Sequence, residues 1–158
     1  MNYSRHINVI DLHTGGEPAR IVPSGPVNIP GETVHQKKSW LQKNYDELRT
    51  FIVQEPRGHK GITGVMVIPP CSPEADLGAI YFDNHRYLDM CGHATICLVT
   101  GLLERGIYDG RIGKNNSKLT LDTPAGLVKT RFTWVDGNVN EVSIINVPSY
   151  PVFDGVVE

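Results

Sequence analysis

The sequence predicts an α+β domain in which a curved mixed β-sheet wraps around one buried helix. The stretch from Ala94 to Arg105 contains no proline and carries Ala94, Ile96, Cys97, Leu98, Val99, Leu102 and Leu103. A helix apolar on nearly every side is a buried helix. Many short β-rich runs flank it, and a strongly curved sheet supplies apolar surface all round such a helix where a flat one does not. The chain has 158 residues, 40% hydrophobic and 20% charged, which is enough for one domain with a real core.

In chain order, His6 to Asp11 reads as a β-branched strand and Pro18 to Pro23 as a second, joined through the turn-forming Thr14-Gly15-Gly16. From Thr33 to Gln54, Trp40, Leu41, Tyr45, Leu48, Phe51 and Ile52 recur at spacings of three and four between polar residues, the pattern of one amphipathic surface helix or two short ones. Ile62 to Ile68 and Leu77 to Phe82 are strands across the rigid loop Pro69-Pro70-Cys71-Ser72-Pro73. The Ala94–Arg105 helix stops before Gly106. Leu119 to Leu121, Leu127 to Trp134 and Val139 to Ile145 are strands, the last two flanking the hairpin signal Asp136-Gly137.

The formal charge of −2 and a pI near 6.3, with Lys and Arg scattered, give no basic field for nucleic acid. No window approaches the length that spans a bilayer, and the start lacks a signal-length apolar run. We therefore expect a soluble, cytoplasmic protein with neither nucleic-acid nor membrane partners. Cys71, Cys91 and Cys97 have the wrong parity for a disulfide framework and form no CxxC pair, so free thiols in a reducing compartment are expected.

The segment Asp89-Met90-Cys91-Gly92-His93-Ala94-Thr95 puts a thiol at the mouth of the buried helix. The first helical N–H groups lack internal partners and the dipole favours negative charge, so Cys91 is biased toward thiolate. The same N–H groups can hold a substrate carboxylate, and Gly92 lets a ligand approach the backbone. An amino acid docked on the amides of Gly92 and His93 would present its α-hydrogen to Cys91. Proton removal builds charge into the carboxylate, which those donors stabilise more strongly in the transition state. Such chemistry requires no metal and no cofactor. The alternative is a core cysteine, since free Cys is among the most buried residue types.

The MCGHATI segment, followed by an apolar helix, resembles the proline racemase family. DLHTGGEPARIV near the start, EPRGH at Glu55 to His59, Pro-Cys-Ser-Pro-Glu-Ala-Asp ending at Asp76, and TPAG at Thr123 to Gly126 agree with it in order. The phenazine-biosynthesis isomerases share a Gly-His-Ala-Thr helix start but lack the DLHTGGEPAR opening. The resemblance implies that Cys91 matches the family's first catalytic cysteine and that Gly92 and His93 match the residues whose amides bind the substrate carboxylate. It also implies a diaminopimelate epimerase-like fold of two similar domains with the active site between them. Residues 1–158 are then the N-terminal catalytic half, with the second domain absent and this half inactive alone.

The activity so implied is cofactor-independent racemisation or epimerisation of proline or 4-hydroxyproline by two thiols. The alternatives are dehydration of trans-3-hydroxy-L-proline with Cys91 as base, or a non-catalytic binding domain. Two copies of the chain pairing face to face would make a homodimer that imitates the missing half. Cys97, about 9 Å further along the helix, is expected to be structural, as is loop-bound Cys71. His13, Thr14 and Glu17 lie in a Gly-rich turn that could border the site, and Arg57 and His59 could contact a ligand or form a loop ion pair. His13, His59, Cys91 and His93 have no recognised metal-ligand spacing, so no metal is expected.

Overall fold

In the computed structural model, which describes residues 6–25, 28–108 and 117–148, the chain opens with a tight hairpin. Strands β1 (Ile10–Thr14) and β2 (Glu17–Val22) pair antiparallel with Thr14 opposite Glu17. Only Gly15 and Gly16 lie between them, at φ of 60° and 95°, a left-handed pair that glycine adopts without steric cost. This turn moves the first strand along the chain from its expected place. It runs up to Thr14, and His6 to Val9 stay outside it because β2 supplies partners only as far as Ile10.

The amphipathic stretch forms two helices, α1 (Val34–Asn44) and α2 (Glu47–Val53). Thr33 caps α1 by accepting from the amide of Gln36 at 3.1 Å. The break falls at Tyr45-Asp46, where Tyr45 leaves helical geometry at φ −149°. The Asp46 carboxylate pairs with Arg49 at 2.7 Å, and the Arg49 guanidinium also donates to the carbonyls of Asp83 and Asn84.

Strands β3 (Thr63–Ile68) and β4 (Leu77–Phe82) pair antiparallel, and β5 (Tyr87–Leu88) adds to β4. Strand β5 has two residues, too few for any periodicity to announce it. The central helix α3 (Gly92–Glu104) begins two residues earlier than its apolar pattern, with Cys91 as N-cap. Strands β6 (Lys118–Thr123), β7 (Gly126–Val135) and β8 (Asn138–Ile145) complete an eight-stranded sheet of order β1-β2-β3-β4-β6-β7-β8. The pairs β2–β3 and β4–β6 are parallel and the rest antiparallel, so the sheet is mixed.

Helix α3 packs against β1, β2 and β3 and also against β8, the far edge of the sheet. A sheet whose opposite edges meet one helix is curved around it, as expected. The strands alternate between two cores. Val65, Leu77, Ala79 and Tyr81 face α3 with Leu98 and Leu102, whereas Met66, Ile68, Ile80 and Phe82 face the layer of α1 and α2 with Leu41, Leu48 and Ile52. Strand β4 is therefore buried at every position, and α3 is held in a fixed place within the domain. Among the described residues no helix is long and apolar enough to cross a membrane.

Candidate active site

Cys91 sits where the chain turns from extended backbone (φ −144°, ψ 117°) into α3. Its residue is half-buried, Gly92 is exposed and His93 is half-buried, while Ala94 and Thr95 behind them are buried. A side chain added at Gly92 would meet no atom within 4 Å. The surface over the first turn is thus open, and the amides of that turn have no intrahelical partners.

Two elements hold the turn from outside α3. The Thr14 hydroxyl, at the end of β1, donates to the carbonyl of His93 at 3.3 Å and lies 3.0 Å from the sulfur of Cys97. Lys38 of α1, nearly buried, forms an ion pair with Asp89 just ahead of Cys91.

The Cys91 thiol lies above its ordinary pKa because burial disfavours the anion, and the Glu17 carboxylate adds to that. The amides of Ala94 and His93 and the Thr63 hydroxyl pull the other way, although none closes a full cap bond to the sulfur. The thiolate bias expected from the helix end is therefore present in its donors but outweighed by desolvation. His93 Nδ1 stands 3.3 Å from the sulfur, and its Nε2 is buried with no hydrogen-bond partner among the described residues.

The structure brings Cys91, Gly92, His93, Thr14 and Glu17 to one end of the domain. His13 is occupied locally, its Nδ1 accepting from the amide of Gly16 at 3.3 Å. Arg57 donates to the carbonyl of Phe51 at 2.8 Å and lies over the Phe51 ring, so it braces its own loop. His59 Nδ1 lies 3.0 Å from the carbonyl of Lys60. Cys97 is buried in the inner core, and Cys71 is half-buried with its amide donating to Asp122. Among the described residues no group of three or more His, Cys, Asp or Glu side chains is placed to hold a metal ion.

Sequence reasoning missed Thr63, whose hydroxyl at the first position of β3 favours the Cys91 anion, and the buried contact of Tyr81 with Thr95. Both depend on strand order, for which no local signal exists. A cleft of about 660 Å³ lies elsewhere, lined by Ile68, Pro69, Asp76 and Leu77. It borders the end of β3, whereas Cys91 meets the beginning of that strand, so cavity size does not mark the thiol.

A family model described as proline racemase matches residues 9–157. A proline racemase of Clostridioides difficile is 42% identical over 156 residues, covering 99% of this chain and 46% of that protein. A trans-3-hydroxy-L-proline dehydratase of Burkholderia ambifaria is 37% identical over 150 residues, covering 95% of this chain and 44% of that protein. A crystal structure of a hydroxyproline epimerase from Agrobacterium vitis with bound trans-4-hydroxy-L-proline superposes with a TM-score of 0.82 at 31% identity. That match covers 91% of this chain and 42% of the other. The chain spans less than half the length of these relatives, and its curved sheet around a central helix is the fold they share.

Proposed function

Because the chain belongs to the proline racemase family, we propose that it forms the Cys91-bearing half of a cofactor-independent enzyme that racemises or epimerises proline or 4-hydroxyproline at the α-carbon. One observation carries this reading: a half-buried sulfur stands beside the first amides of α3, beneath a surface left open over Gly92. The substrate carboxylate rests on the amides of Gly92 and His93, which puts the α-carbon within reach of Cys91.

In one direction the Cys91 thiolate takes the α-proton. The C–H electron pair passes into the carboxylate, and the two amides stabilise the charge that develops there. A thiol from the remainder of the protein returns a proton to the opposite face of the same carbon, leaving that group as thiolate and Cys91 as thiol. The reverse reaction exchanges the two roles. The raised pKa of Cys91 suits the thiol form that donates in that reverse direction. The chemistry needs no cofactor or metal, and three unpaired cysteines fit a reducing, cytoplasmic setting.

A second reading has support in the dehydratase at 37% identity. With trans-3-hydroxy-L-proline the same proton abstraction by Cys91 expels hydroxide from the neighbouring carbon and needs no second thiol. Incubating the full-length enzyme in heavy water with L-proline, trans-4-hydroxy-L-proline and trans-3-hydroxy-L-proline separates the two. Racemisation or epimerisation gives the inverted imino acid with deuterium at the α-carbon, whereas dehydration gives a cyclic imine from the 3-hydroxy substrate alone. Absence of both products would overturn the assignment.

A further inference from the structure

Beneath Cys91 runs a buried chain of hydroxyls with a single direction of donation. The phenol of Tyr81, on β4 and fully buried, is 2.7 Å from Thr95 Oγ1. Thr95, equally buried, places that oxygen 2.8 Å from the carbonyl of Cys91, to which its own amide also donates at 3.0 Å. A carbonyl only accepts, so the one hydroxyl proton of Thr95 goes to Cys91 and Tyr81 donates to Thr95. A threonine bonded to the carbonyl four residues back is common inside helices. Here that carbonyl belongs to the N-cap, and the sheet commits a tyrosine to it where phenylalanine would fill the space without burying a hydroxyl.

The carbonyl of Cys91 and the amide of Gly92 belong to one trans peptide, whose planarity makes the N–H point away from the C=O. Holding the carbonyl toward the core therefore aims the Gly92 N–H out through the open face. We propose that Tyr81 and Thr95 are positioning residues: their hydroxyl chain locks the Cys91–Gly92 peptide so that its amide faces an incoming carboxylate beside the sulfur. The inference rests on the reading of Cys91 and Gly92 as thiol and carboxylate donor, and adds to it a support that neither residue touches through its side chain.

The test compares carboxymethylation of Cys91 by iodoacetate with its alkylation by iodoacetamide in the full-length enzyme, read on the Cys91 peptide by mass spectrometry. The two reagents deliver the same carbon, and only iodoacetate brings a carboxylate, so at one pH their rate ratio cancels the thiolate fraction. Repulsion from Glu17 is common to all variants. Thr95→Val is expected to lower the ratio at least three-fold and Tyr81→Phe by less, while Thr95→Ser, which keeps the hydroxyl, retains the wild-type ratio. Unchanged ratios in Thr95→Val and Tyr81→Phe that melt cooperatively would overturn the proposal, as would a Thr95→Ser ratio as low as that of Thr95→Val. A wild-type ratio no greater than that of free cysteine would instead count against amide capture of carboxylates, the underlying reading, and remove the proposal with it.

Discussion

Opposed influences act on the proton of Cys91. Burial and the Glu17 carboxylate hold it on the sulfur, and the Ala94 and His93 amides with the Thr63 hydroxyl favour its release. Glu17 is exposed at the first position of β2, so its influence is modest and screened by salt. Removing its charge stabilises the thiolate. Glu17→Gln should therefore speed alkylation of Cys91 by iodoacetamide at neutral pH by about two-fold, with the gain shrinking as salt is added. A slower reaction would show that the carboxylate does not oppose the thiolate. At this scale the placement of Cys91, Gly92 and His93 at a helix start was legible because the three are consecutive just ahead of the apolar stretch. Glu17 was already expected, with His13 and Thr14, to border the site, whereas Thr63 was not legible, because it comes near the sulfur from the start of a strand that only the fold brings alongside α3.

Among the elements, the strongest local signals were the apolar ones. The pattern over Ala94–Arg105 located α3, and that over Thr33–Gln54 located α1 and α2 together, while their separation depends on Tyr45 leaving helical geometry. The hairpin at Asp136-Gly137 was also plain, with both residues at positive φ. What stayed hidden was the polar fastening between elements. Arg20 of β2 donates to both oxygens of Asp11 on β1, at 2.7 and 2.8 Å, and to the carbonyls of Ile52 and Arg57.

That pairing holds the Asp11 carboxyl below its ordinary value of 3.8. A depressed carboxyl contributes stability that is complete above the unfolded-state value and is lost as pH falls through the folded one. The stability of the native chain should accordingly fall on acidification below about pH 4. Arg20→Met should flatten that fall and lower stability at pH 7 by about 1–3 kcal/mol, as urea titrations at several pH values would reveal. An unaltered acid slope would mean that the pair is not formed in solution.

For the molecule as a whole, the sheet is covered by α1 and α2 outside and by α3 inside, with β1 and β8 both reaching that helix. The helix start is left facing outward, at an open surface over Gly92. A surface closed on one side lets one group reach a substrate carbon from one face, and inversion requires a second group on the other. The chain spans less than half the length of these relatives. The wrapped fold was legible because a helix apolar on all sides admits few alternatives. The orientation of its thiol was not, because desolvation and hydrogen bonding depend on neighbours remote in sequence.

The most direct measurement is α-proton exchange in heavy water by the full-length enzyme carrying Cys91→Ser, with substrate α-deuteration followed by NMR. Loss of exchange by at least a thousand-fold in a protein that melts like the parent is predicted. Exchange persisting within ten-fold of the parent would contradict the assignment of Cys91 as the group that moves the proton.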